Sequence, residues 1–181
     1  QRFDANGNKV ELLQPDTIPP TVSIAMSDQD IKAGDTSTVT FTFSEEPTGF
    51  TADDVTVANG AIADLAVTSD AKVYTATYAP TAYVEDTTNV ISVGTDWTDL
   101  AGNAPAADTD SSNYEVDTLA PVLSSIVLSD TALKAGETAT VTFTFNEEVT
   151  NFTADDITVA NGTISDLTVT ADTKIYTAIY T

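Results

Sequence analysis

An all-β chain of two tandem sandwich domains is predicted by three observations. The stretch from Gly34 to Gly60 returns from Gly136 to Gly162, an offset of 102 residues, and 21 of the 27 aligned positions are identical. Short runs alternate apolar residues with threonine, the period-two signature of a strand that buries one face. Turn residues, Asn59-Gly60 and Asn161-Gly162 among them, punctuate these runs in both copies. A period near a hundred residues is too long for a solenoid turn or a propeller blade and matches one small all-β domain, so each copy should carry its own core.

Taken in order, residues 1–15 match nothing at the head of the second repeat. Their Asp4-Ala5-Asn6-Gly7-Asn8 is similar to Asp99-Leu100-Ala101-Gly102-Asn103, and Val10 and Leu12 alternate with polar neighbours. This head reads as the tail of a preceding repeat or a linker. The first repeat is predicted over 16–116 and the second over 117–181, with the joints at Asp16-Thr17-Ile18-Pro19-Pro20 and Asp117-Thr118-Leu119-Ala120-Pro121, where proline holds the chain extended and cannot donate to a ladder.

In the first repeat Val22, Ile24 and Met26 share one face of a first strand that ends in a polar turn at Ser27-Asp28-Gln29-Asp30. Val39, Phe41 and Phe43 face one way in the second strand and threonines the other, as half-burial requires. An acidic loop follows, then a short strand with Val55 and Val57 that turns back at Asn59-Gly60, the strongest short hairpin signal. The fourth strand runs through Ile62, Leu65 and Val67, its broken alternation predicting a bulge, and the fifth carries Tyr74, Ala76 and Tyr78. Polar residues from Thr81 to Thr88 separate it from a sixth strand with Ile91 and Val93 inward; after a long loop, Asn113 to Val116 make a seventh. Seven strands in about a hundred residues is the immunoglobulin-like count. The fold class is therefore all-β, tandem immunoglobulin-like β-sandwich domains of about seven strands each. Thr181 aligns with Ala79, so the second repeat is expected to lack its last two strands, either because the chain continues or because another chain supplies them.

Six Lys and Arg stand against 28 Asp and Glu, a formal net charge of −22. Such a surface repels nucleic-acid phosphates and anionic membranes, and cations are its natural partners. With no cysteine and no histidine, disulfides, thiolate sites, ordinary zinc sites and the usual nucleophilic triads are all excluded. No apolar run is long enough for direct membrane insertion.

The ordered set Phe41-Thr42-Phe43-Ser44-Glu45-Glu46-Pro47, Phe50, Asp54-Val55-Thr56-Val57-Ala58-Asn59-Gly60, Asp99-Leu100-Ala101-Gly102-Asn103 and Asp117-Thr118…Pro121 resembles the bacterial Ig-like repeats of large surface adhesins, including the RTX type. The resemblance spans nearly the whole chain. It implies a calcium-rigidified extender secreted to a bacterial surface, serving cell adhesion and biofilm formation, with neighbouring repeats and further copies of itself as partners.

Chain direction gathers the acidic loops. In this topology the second-to-third, fourth-to-fifth and sixth-to-seventh connections lie at the end where the first strand begins. That pole collects Asp16, Glu45, Glu46, Asp54, Asp96, Asp99 and Asn103 among others, and calcium, which takes 6 to 8 oxygen ligands, is the cation they suit. The candidate ligands there are Asp16, Glu46, Asp54, Asp96, Asp99 and Asn103. The opposite pole offers Asp28, Asp30 and Asp86 toward Glu148 and Asp156 of the second repeat, and Asp117 in the linker is expected to share a joint calcium. Glu45 with Asp54 would also make a glycosidase-like carboxylate pair, but its return as Glu147 and Asp156 in a stacking repeat favours scaffold over catalyst. Two other readings stand beside the extender: a fibre or surface-layer subunit assembled by strand exchange, and an Ig-like module that itself binds glycan or protein.

Overall fold

In the computed structural model, which describes residues 2–3, 9–10 and 14–181, the chain divides into two units, Gln1–Leu119 and Ala120–Thr181. In the head, β1 (Arg2–Phe3) pairs antiparallel with β2 (Lys9–Val10). The Asp4-Ala5-Asn6-Gly7-Asn8 stretch and Leu12 lie outside the described residues.

In the first unit, β3 (Val22–Met26) is followed by β4 (Asp30–Lys32), β5 (Ser37–Phe43), β6 (Val55–Val57), β7 (Gly60–Val67) and β8 (Val73–Pro80). Then come β9 (Glu85–Asn89), β10 (Ile91–Val93), β11 (Thr109–Asp110) and β12 (Tyr114–Asp117). One layer is an antiparallel sheet in the order β3-β5-β8-β7. The facing layer has two three-stranded pieces, β11-β10-β6 and β4-β12-β9. Alternation sends Val22, Ile24, Val39, Phe41 and Phe43 inward from the first layer, where they meet Ile31, Ile91, Val93, Trp97, Tyr114 and Val116 from the second. The architecture is the all-β Ig-like sandwich that the strand count calls for.

Four details differ from the sequence reading. Asp28 to Asp30 does turn, but the chain then forms β4, which runs parallel to β12 and buries Ile31; one apolar residue among polar ones gives no alternation to read. The polar stretch before the sixth strand contains β9, held by its ladder to β12 rather than by any hydrophobic pattern. The sixth and seventh strands are each broken in two, and side chains replace the ladder at the break: Asn89 N–H donates to Asn113 Oδ1 and Ile91 N–H to Ser111 Oγ, both at 3.0 Å. Finally, Asn59-Gly60 does not close a hairpin. It carries the chain from β6 in one layer to β7 in the other, with Asn59 at a φ of 50° and Gly60 so close under the Tyr78 ring that a Cβ would collide with it. The expected bulge in β7 lies between Ala63 and Ala66, with Asp64 at a φ of 55°.

The second unit contains β13 (Leu123–Leu128), β14 (Ala139–Phe145), β15 (Ile164–Val169) and β16 (Ile175–Tyr180) in one sheet, ordered β13-β14-β16-β15. Its registers repeat those of the first unit: Ile126 opposes Phe143 as Ile24 opposes Phe41. Among its described residues no second layer forms.

Candidate functional site

Three carboxylates from distant parts of the sequence converge at the pole where the first unit begins. Asp16 precedes β3, Glu45 sits on the β5–β6 loop and Asp99 on the β10–β11 loop, and each offers an oxygen within 4.8 Å of the others. Two backbone bonds fix the loops to each other, Thr48 N–H to the Thr98 carbonyl at 2.6 Å and Thr98 N–H to the Thr48 carbonyl at 3.0 Å. Beneath them Trp97 is buried, its Nε1–H donating to the Gly94 carbonyl at 2.9 Å and its ring packed edge-on 4.8 Å from Phe43. The tryptophan therefore serves packing, and it sets the position of Asp99 two residues on.

Asp99 is buried and well bonded. Asn103 donates to it twice, N–H to Oδ1 at 2.8 Å and Nδ2–H to Oδ2 at 2.7 Å, around a turn in which Gly102 takes a φ of +92°. This is the physical content of the Asp-Leu-Ala-Gly-Asn motif: a carboxylate locked by its own turn. Burial pushes the Asp99 pKa up, but the hydrogen bonds from the Asn103 side chain and from the Asn103, Ala101 and Gly102 N–H groups outweigh it and hold the carboxyl below its ordinary value. Asn103 also donates through Nδ2 to the Asp16 carbonyl at 3.4 Å, which ties the entering chain to this turn.

Glu45 goes the other way. Burial is the largest cause raising its pKa, with the charges of Asp16 and Asp99 adding to it, and Lys72 offsets only part. Lys72 is near because its Nζ donates to the Ser44 carbonyl at 3.1 Å. The site thus carries a carboxylate that burial and two acidic neighbours make resistant to ionisation. Hard oxygen donors from three segments fit a divalent cation of the calcium type, although two Asp99 lone pairs are already used by Asn103.

Both repeats match the bacterial Ig-like domain family, over residues 16–116 and 117–181. The chain belongs to the bacterial Ig-like family. Among solved structures it is similar to FdeC, an Escherichia coli adhesin, at 13% identity and a TM-score of 0.45, over 90% of this chain and 55% of that one. The chain thus spans about half the length of that protein's structure. Among curated protein sequences, none matches.

Within this Ig-like unit the other candidates are placed as follows. Glu46 is exposed and is not a member of the cluster, which uses its neighbour Glu45; the two adjacent glutamates are indistinguishable in sequence. Asp54 caps the single 3₁₀ turn Ala52–Asp54, accepting from Thr51 N–H at 2.7 Å, and Asp96 is exposed. Asp28 accepts from Asp30 N–H at 3.0 Å, and Asp30 pairs with Lys32 at 2.9 Å in full solvent. Asp86 accepts from Thr88 N–H and Asn59 Nδ2–H, both at 2.9 Å. The Thr88 backbone bond is the main cause holding Asp86 below its ordinary pKa. Asp117 accepts from Leu119 N–H at 3.3 Å. In the second Ig-like unit Glu148 is exposed and Asp156 caps Thr153 as Asp54 caps Thr51. Among the described residues, only Asp16, Glu45 and Asp99 form an acidic group this tight.

Proposed function

We propose that the chain is part of the non-catalytic, extracellular stalk of a bacterial surface adhesin, in which calcium at the head of each Ig-like repeat stiffens the array that projects a distal adhesive domain. The observation that carries this reading is the Asp16–Glu45–Asp99 cluster at the point where the chain enters the first repeat. An aspartate of the linker itself is one of its members. A cation there ties linker to domain, and the linker aspartate recurs by sequence as Asp117, the loop glutamate as Glu147. Tandem repetition with 21 of 27 positions identical supports a spacer, since stacked identical units add length rather than a new surface.

Asp16 and Glu45 would supply carboxylate oxygens, and Asp99 whatever lone pairs Asn103 leaves free. The group supplies charge neutralisation and a fixed linker angle, with affinity on the order of 10⁻⁴–10⁻³ M, the range of extracellular modules.

The test is calorimetric titration of calcium into the chain, with small-angle scattering in calcium and in chelator. Glu45→Gln should abolish binding and Glu46→Gln should not, and the maximum dimension should be longer and better defined with calcium. Superimposable scattering profiles would leave the acidic residues as a solubility device.

A further inference from the structure

The hydroxyl of one linker threonine closes a turn that belongs to another part of the first unit. Thr118 follows directly on β12 and is buried, at 7% exposure. Its Oγ1–H donates to the Thr81 carbonyl at 2.7 Å, and the same oxygen accepts from Val84 N–H at 3.0 Å. Thr81 and Val84 are the first and last residues of a four-residue turn, so the hydroxyl sits between the two groups that a β-turn would bond directly. Thr118 N–H adds a bond to the Val84 carbonyl at 2.7 Å, one step beyond the β9–β12 ladder. The turn is unfavourable on its own, with Tyr83 at a φ of 62° and 81% exposed, and Thr118 bridges its ends.

The far end of the linker is fastened to the second unit. Val122 N–H donates to Asn146 Oδ1 at 2.6 Å, and Asn146 N–H to the Val122 carbonyl at 3.0 Å. The first unit uses the same device at its own entrance: Thr21 N–H donates to Ser44 Oγ at 2.9 Å, and Ser44 N–H to the Thr21 carbonyl at 2.9 Å. Between the fastened residues Thr118 and Val122 lie Leu119, Ala120 and Pro121 alone. Proline fixes its own φ and disfavours the helical region for Ala120, and Leu119 N–H is already engaged by Asp117 Oδ1 at 3.3 Å. Little torsional freedom is left.

We propose that Thr118 is a positioning residue of the stalk: it buckles the linker onto the unit that the chain is leaving, and with Asn146 it confines the freedom of the joint to Leu119, Ala120 and Pro121. Only the purpose of the clamp rests on the stalk reading; its bonds need no metal. The position asks for serine or threonine, since one oxygen must donate to a carbonyl and accept from an amide at once. Valine, of the same shape, would leave the Thr81 carbonyl and Val84 N–H without that partner. Asp16-Thr17 repeats the pair Asp117-Thr118, so the same side-chain chemistry is available at both joints.

The experiment follows backbone amides of the isotopically labelled 181-residue chain by NMR in chelator, which separates its outcome from that of calcium binding. In the unaltered chain, order should drop only at Leu119 and Ala120, with Thr118 and Val122 as ordered as the strands they adjoin. Thr118→Val should speed exchange of the Val84 amide about tenfold or more and carry the drop in order back to Asp117, while the Ile91 and Val93 amides keep their protection. Thr118→Ser should restore both readings. Asn146→Ala, at an exposed position, should extend the disorder forward to Val122 and leave Thr118 unchanged. The proposal is overturned by an unaltered chain whose order already drops at Asp117 or does not drop at Ala120, by a valine variant indistinguishable from it, or by a serine variant that behaves as the valine one does. Equal loss of protection at Ile91 and Val93 would also overturn it, because Thr118 would then serve fold stability only. Should Thr118→Val not fold, the unaltered profile and the Thr118→Ser and Asn146→Ala variants decide.

Discussion

The same four-stranded sheet occurs twice in this chain, and the two copies differ in what lies on their apolar face. Val39 and Phe41 in the first unit and Val141 and Phe143 in the second are all buried, because the centre of the sheet is protected by its own neighbours. The edge strand differs: β3 is shielded and β13 is exposed along its whole length. The comparison teaches that local sequence specifies the sheet but pairing specifies the small strands around it. Val55–Val57 and Ile157 to Val159 are nearly the same three residues, yet only the first, with β10 beside it, is a strand.

The largest test of that contrast is a core truncation made in both copies. Phe41→Ala should cost about 3–5 kcal/mol, the range for an aromatic removed from a closed core, whereas Phe143→Ala should cost roughly half, since solvent can already reach the cavity beside it. Denaturant unfolding checks this, with Trp97, the single tryptophan, reporting the first unit and amide resonances the second. Equal costs would mean that the second face is closed.

Next in size is the glycine under each tyrosine. A Cβ at Gly60 collides with the Tyr78 ring and one at Gly162 with the Tyr180 ring. Tyr78 is fully buried and has nowhere to go, so Gly60→Ala should destabilise by about 1–3 kcal/mol. Tyr180 is half-buried and can swing aside, but a Cβ at Gly162 also meets the Thr181 backbone carbonyl, so Gly162→Ala should cost less only by the share that the ring contributes.

A smaller effect belongs to a residue with no counterpart in the second unit. Tyr114→Phe deletes the bond to the Ala58 carbonyl, which keeps a second donor in Tyr78 at 3.2 Å. The expected loss is about 0.5–1 kcal/mol, because no acceptor is orphaned. A loss well above that would assign the tyrosine pair a larger share of the sandwich's stability.

The smallest expected change concerns pH. Folding raises the Glu45 pKa, so the folded state takes up that proton more readily than the unfolded chain. The resulting penalty is absent below the ordinary glutamate value and grows as pH rises through the folded one. Asp99, held low, acts oppositely: its stabilisation is present above the ordinary aspartate value and is lost as pH falls through the folded one. Glu45→Gln should therefore raise the calcium-free melting temperature at neutral pH and lose that advantage in acid.

The reading of the sequence succeeded where a period was present. The Thr-Val-Thr-Phe-Thr-Phe alternation placed β5 and its buried side, and the broken pattern at Ile62 and Leu65 marked the bulge in β7. It failed where pairing replaces pattern. Glu85–Asn89 has no apolar residue at all, and Asp30–Lys32 has one; both are strands because β12 runs between them. At the candidate site, convergence of Asp16 and Asp99 was legible from chain direction, since loops at one pole of a sandwich follow from its topology. The choice of Glu45 over Glu46 was not, because it depends on how the backbone leaves Phe43, with Pro47 buried just beyond.

The parallel pairing of β4 with β12 has a consequence for force. When the first unit is pulled by its two ends, β4 is drawn back from its start and β12 forward from its finish. Because the two strands point the same way, tension slides one along the other. The contacts opposing Asp30 to Glu115, Ile31 to Val116 and Lys32 to Asp117 are then loaded together, in shear, instead of parting one after another as in an unzipping hairpin. Rupture under such a load is governed by the unfolding barrier rather than by equilibrium stability. Ile31, fully buried between the layers, must leave the core in the same event. Three residues that barely register as a strand in the sequence thus stand as a latch in the path of tension, behind the β3–β5 ladder.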